Sequence, residues 1–286
     1  MDVFIGFDSA WTDNPKAPGA ISAVVLQAGA FACFEAPRLA SFDEALAFIR
    51  KCRADSGTTL VALDQPTVVP NATSLRPVER TAATLVSWLG GGVQPSNRGR
   101  RGMFCEASPI WRFLGALGAM EDPERARTAT QGLFLVEVFP ALALASLDPG
   151  FFGRLAAPRY NPDRRKTFRA GDWARVAAVA ARHFRALGCI EAAAWCDDTS
   201  LIERPRKADQ DRLDSALCLL IALHWRLRPR VESLMLGDLA SGYLRRRQSS
   251  CTVSQESVTA SRIGGQPLAA ISTTLSSVPH EIQTAG

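Results

Sequence analysis

VFIGFDSAWTDNPKAPGAISAVVLQAGAFACFEA, residues Val3–Ala36, holds three apolar runs joined by short links. Val3–Phe7 is rich in β-branched and aromatic residues and stops at Asp8. The Asn, Pro and Gly that follow are turn formers. Ala20–Leu26 and Phe31–Ala36 repeat the pattern across the link Gln27–Ala30. Three consecutive strands with short links predict an antiparallel meander. Ser41 then opens a helical stretch, SFDEALAFIRKCRADSG, with Glu44 placed as in a capping box and Gly57 as its stop. Thr58–Leu63 is a fourth apolar run and, like the first, it is followed by an acid, Asp64. A helix between two strands implies a right-handed crossover, so the fourth strand is expected to lie parallel to the first.

That arrangement brings Asp8 and Asp64 together at the carboxyl ends of parallel strands, where α/β sheets bind ligands. Either acid alone reads as a turn carboxylate bonded to nearby backbone N–H groups. Their joint placement carries the weight. A second acidic group opens KADQDRLDSALCLLIALHW, Lys207–Trp225. From Ser215 onward this segment is apolar on nearly every face, so as a helix it is expected to be buried. Asp211 and Asp214, three residues apart, share one helical face at its mouth. Acids there also complement the helix dipole and cap free N–H groups. Glu137 falls within the strand-like run FLVEVF, Phe134–Phe139. A carboxylate in such a run needs an arginine, a proton or a metal, and the sequence leaves these open.

The intervening sequence reads as helices over Pro77–Trp88, Ile110–Met120, Pro123–Ala129 and Asp172–Leu187, with a last short strand at Ala192–Trp195. Leu89–Gly92 and the following PSNRGRRGMF read as a flexible basic loop. It lacks the GK[ST] ending of a phosphate-binding loop. Pro158–Arg169, PRYNPDRRKTFR, is basic with Tyr160 and Phe168 interleaved, which fits a nucleic-acid contact strip or a solvated loop. After Tyr243 the chain becomes Ser/Thr-rich and weakly patterned, so one domain over 1–243 and a disordered tail over 244–286 are expected.

Composition narrows the function classes. The 286 residues are 47% hydrophobic, enough for a sizeable core. The seven cysteines form no CxxC pair, which argues against a zinc knuckle or redox dithiol and for a reducing compartment. Three histidines make a histidine-based metal site a poor expectation. The start MDVFIGF lacks the basic opening of a secretory signal, and no apolar run reaches the ~18 residues of a membrane helix, so a cytoplasmic location without membrane partners is expected. The formal charge of +5 is compatible with a polyanionic partner.

Three antiparallel strands, a helix, a parallel fourth strand, further α/β elements and a C-terminal helix are the order of a ribonuclease-H-like mixed sheet flanked by helices, here with insertions. In that order Asp8, Asp64, Asp211 and Asp214 converge. Phosphodiester hydrolysis needs a positioned water and neutralised oxygens, which two magnesium ions about 4 Å apart supply. Hard cations prefer carboxylate oxygens, so Mg2+ or Mn2+ is the expected cofactor. The motifs GFDSAWTDNPKAPGAIS, ALDQPTVVPN, RPVER, RGMF, VEVFPA, YNPDRRKTF and KADQDRLDSALCLLIA together resemble domain-of-unknown-function family 429, a family of predicted ribonuclease-H-like nucleases. The resemblance runs from Gly6 to about Tyr243. It implies a carboxylate centre at Asp8, Asp64, Glu137 and Asp211 or Asp214. It also implies a basic substrate side at Arg76, Arg80 and Lys166; Arg101 joins these as a further substrate-binding candidate, and DNA or RNA is the implied substrate. A non-catalytic nucleic-acid-binding module on the same fold is the alternative. An actin-like phosphotransferase is a further one, poorly matched because DSAWTDNPKAPG is not its glycine hairpin.

Overall fold

The structure, a computed structural model, describes residues 1–53 and 57–247. The chain runs through β1 (Asp2–Asp8), β2 (Gly19–Gln27), β3 (Ala30–Ala40), α1 (Phe42–Cys52) and β4 (Thr58–Leu63). Helices α2 (Pro77–Trp88), α3 (Pro109–Leu117) and α4 (Pro123–Thr128) lead to β5 (Gly132–Glu137). Then come α5 (Pro140–Leu147), α6 (Ala170–Leu187), α7 (Ile190–Ser200) and α8 (Lys207–Leu227), and finally β6 (Ser233–Asp238) and β7 (Gly242–Arg247).

Strands β1 to β5 form one mixed sheet in the order β3-β2-β1-β4-β5. β1 pairs antiparallel with β2 and parallel with β4; β4 pairs parallel with β5. The register sets Phe7 beside Leu63 and Leu63 beside Glu137. Side chains alternate across the sheet. Val3, Ile5, Phe7, Val61 and Leu63 pack with Phe42, Phe48 and Phe113 on the face covered by α1 and α3. Phe4, Leu60, Ala62 and Val136 pack on the other face with α5, α6, α7 and α8. Burial on both faces explains why the strands read as continuous apolar runs. The helix α1 begins as expected: Ser41 Oγ accepts from Glu44 N–H, and a Glu44 carboxylate oxygen accepts from Ser41 N–H at 2.8 Å.

Four expectations are corrected. Ala192–Trp195 is helical within α7, with Ala192, Ala193, Cys196 and Thr199 buried at helical rather than alternating spacing. Glu137 is the last residue of β5 rather than mid-strand, because Pro140 already opens α5. The loop after α2 is pinned: Ser96 is buried, Arg98 Nε donates to Val69 O at 2.8 Å, and its guanidinium stacks 4.1 Å from the Trp111 ring. Finally, β7 continues to Arg247, past the boundary expected at Tyr243, because Tyr243 and Leu244 are buried against the body of the domain. The remainder of the expected tail lies outside the described residues.

Candidate functional site

The close approach of α8 to β1 builds the site. A Cβ on Gly6 would stand 2.1 Å from Ser215 O and 2.3 Å from Leu219 N, so only glycine admits the helix at this depth. Ser215 Oγ donates to Gly6 O at 3.2 Å, and Ser22 Oγ donates to Ser215 O at 3.3 Å. These bonds seat the first turns of α8 over the ends of β1 and β2. Asp8 ends β1, and Asp64 follows β4 with its N–H donating to Phe7 O at 2.9 Å. Asp211 and Asp214 project from the start of α8. All four acids line one cavity of about 440 Å³, together with Trp11, Gln94, Lys207 and Gln210.

The loop after β1 is locked around them. Trp11 Nε1 donates to Asp64 O at 3.0 Å, Gln65 Nε2 donates to Trp11 O at 3.3 Å, and Ser9 Oγ donates to Gln65 Oε1. Asp214 is oriented from two sides: Tyr160 O–H donates to its Oδ1 at 2.7 Å and Gln210 Nε2 to its Oδ2 at 2.8 Å. Lys207 Nζ donates to Asp211 Oδ1.

Four carboxylates face one ammonium here. Burial pushes the Asp8 carboxyl well up, and the charges of Asp214 and Asp64 push it further. Burial, then Asp214 and Glu137, do the same to Asp64. Burial raises Asp211 against the pull of Lys207, and raises Asp214 to about 6 against Tyr160, Lys207 and Gln210. Burial alone would lower the Lys207 ammonium, but Asp8, Asp211 and Asp214 outweigh it and hold it above its ordinary value. Carboxyls crowded into one buried cavity require protons or a cation among them. Hard anionic oxygens in excess of local positive charge are the donor chemistry that suits Mg2+ or Mn2+. Among the described residues, however, no three His, Cys, Asp or Glu side chains are drawn together as a group able to hold a metal ion.

The structure moves Glu137 and Arg76 out of this cluster. Arg76 NH2 and NH1 donate to the two Glu137 oxygens at 2.6 and 3.0 Å, while Arg76 Nε donates to Glu79 Oε1 at 2.8 Å. All three side chains are no more than 2% exposed. Thr67 N–H also donates to Glu137 Oε2 at 3.0 Å, and Glu137 N–H donates to Tyr243 Oη at 3.1 Å. Burial holds the Glu137 carboxyl up to about 7 although Arg76 opposes it. The arginine alternative for Glu137 is therefore the observed one, and Arg76 has its guanidinium engaged rather than facing a substrate. Arg80, Arg101 and Lys166 are exposed. Sequence reasoning passed over Lys207 and Gln210, and it put Tyr160 in a contact strip or solvated loop rather than beside Asp214. The spacing of Lys207 to Asp211, one helical turn, was the available signal for the first. Tyr160 was hidden by its basic neighbours.

The sheet order, the helix seated on the first strand and the acids at the carboxyl edge define a ribonuclease-H-like α/β protein with an acidic cavity. Residues 6–235 match the family described as protein of unknown function (DUF429), and the chain belongs to that family. No curated protein and no solved structure matches it. Among the described residues no helix is long and apolar enough to cross a membrane.

Proposed function

We propose that this protein is a metal-dependent nuclease that hydrolyses phosphodiester bonds, with Asp8, Asp64, Asp211 and Asp214 holding Mg2+ or Mn2+. The observation that carries the reading is the convergence of four carboxylates, from two adjacent strand ends and one helix mouth, on a single cavity. Divalent metal there would supply an activated water and neutralise charge on the phosphodiester oxygens. The chain's own groups have definable tasks. Tyr160 and Gln210 fix the rotamer of Asp214. Trp11, Gln65 and Ser9 hold the loop that carries Asp8 against Asp64. Lys207 adds a positive charge where a phosphate oxygen would enter, and Arg80, Arg101 and Lys166 offer exposed cations to the flanking backbone. Glu137 serves the architecture and stays outside this machinery.

A second reading, a nucleic-acid-binding module without turnover, is favoured by two observations: Lys207 already pairs with Asp211, and among the described residues the acids are not gathered into a three-donor group. The test is a screen of DNA, RNA and branched substrates with Mg2+ or Mn2+, comparing wild type with Asp8→Asn. Metal-dependent cleavage by the wild type that the substitution abolishes is expected. Cleavage that survives Asp8→Asn overturns the assignment. Binding without cleavage of any substrate favours the second reading.

A further inference from the structure

Beside the acidic cavity lies a second one of about 200 Å³. Gln210 lines both. Val86 and Leu144 form an apolar side of the second cavity, and Arg159, Asn161 and Arg164 a polar side. Its volume falls below the roughly 300 Å³ at which drug-sized pockets begin, so it suits one planar ring system with polar edges. Gln210 is 7% exposed, and its Oε1 has no hydrogen-bond partner among the described residues. A ring N–H or exocyclic amine is the kind of donor that completes such an acceptor. A third cavity of about 260 Å³ is also lined by Arg164, as this one is, and by Asp64, as the acidic one is, so the three lie side by side.

The rim has a matching character. Trp88 and Phe152 are 42% and 48% exposed, with ring centroids 5.4 Å apart. They stand beside the cavity because Leu155 N–H donates to Trp88 O, and Ala157 N–H to Leu89 O, each at 2.8 Å. The same segment, residues 154–169, carries Arg154, Arg159, Arg164, Arg165, Lys166 and Arg169 against a single acid, Asp163. Exposed aromatic faces interleaved with cations bind strands whose bases are free to stack. Bases in a duplex are paired and stacked on each other, so they can neither reach the Trp88–Phe152 pair nor enter the cavity.

We propose that this cavity, the Trp88–Phe152 pair and the cationic strip bind an unpaired nucleic-acid strand, one base in the cavity and its backbone along the strip towards the acids. The proposal rests on the nuclease reading for what happens to the strand, but its test does not. Fluorescence anisotropy in EDTA, where metal-dependent cleavage is absent, compares labelled single-stranded DNA, single-stranded RNA and blunt duplex DNA of one sequence. At least one of the single strands binds about tenfold more tightly than the duplex or better. Trp88→Ala or Phe152→Ala weakens that binding roughly 5- to 150-fold. Both residues are surface-exposed, and unchanged thermal melts verify that the variants fold. Arg164→Ala lowers the slope of log affinity against log salt by about 0.7. Ala141→Phe, at an exposed residue on the cavity wall, removes the preference for the unpaired strand. Equal or tighter binding of duplex, or full affinity in both aromatic variants, overturns the proposal. Selective strand binding without cleavage of any substrate refutes the nuclease reading and keeps this one. Metal-dependent cleavage of duplex without strand preference does the reverse.

Discussion

Replacing Asp214 by asparagine isolates the electrostatic strain of the acidic cavity. Asp214 titrates near 6 in the folded protein instead of near 3.8, chiefly through burial. A tenfold change in a protonation equilibrium is worth about 1.4 kcal/mol, so keeping this group ionised costs the folded state about 3 kcal/mol. A carboxyl whose folded value is raised contributes stability below its unfolded value and loses it as pH climbs through the folded value. Metal-free wild type should therefore lose about 3 kcal/mol relative to Asp214→Asn between pH 4 and pH 7.5. For a domain of this size that is roughly 6 to 12 °C in melting temperature. The amide keeps the local shape. Its oxygen still accepts from Tyr160, and Gln210 need only turn its own amide so that Oε1 meets the new N–H. The assay is urea unfolding of both proteins in EDTA at half-unit pH steps, read as the difference between them. A difference that does not change with pH, or that grows in favour of wild type as pH rises, refutes the reasoning. In saturating Mg2+ the wild-type loss should shrink, because a cation takes over the role of the proton.

Glu137→Gln should leave a buried guanidinium short of its partner and cost about 3 to 5 kcal/mol in denaturant unfolding, with the Mg2+ dependence of melting unchanged; a weakened Mg2+ effect would return Glu137 to the metal cluster. Gly6→Ala drives a methyl group into the backbone of α8 and should destabilise by about 1 to 3 kcal/mol or more in thermal melts. The same substitution shifts the mouth of α8 away from β1, so any metal-dependent turnover should fall together with stability. Wild-type turnover in a folded Gly6→Ala variant would show that the close approach does not set the site.

Much of this architecture could be read from residue order. Ser41 and Glu44 announced the start of α1, and the crossover after it placed Asp8 and Asp64 side by side. The apolar face-independent run in α8 required a helix enclosed on all sides, which is where it sits. Other features depend on distance along the chain. Arg76 and Glu137 are 61 residues apart, and nothing local to either reveals the pair. Ala192–Trp195 is a short apolar run, and such runs are equally compatible with strand and helix by periodicity alone. Tyr160 lies among arginines in sequence, yet its ring is buried and its hydroxyl serves Asp214, a role that only the packing of α8 assigns.

The bond between Ser215 and Gly6 joins residues 209 positions apart. At synthesis rates of about 5 to 20 residues per second, roughly 10 to 40 s separate the making of the first strand from the arrival of its helix. Until then β1 and β2 present an uncovered apolar surface, and Asp8 and Asp64 stand without the acids of α8. The cavity is thus completed late in synthesis, by a closure across 209 positions, and topology of this kind folds slowly. A nascent or truncated chain that lacks α8 has neither a finished core nor a finished acidic centre, so the chemistry proposed for the site is withheld until the domain is nearly complete.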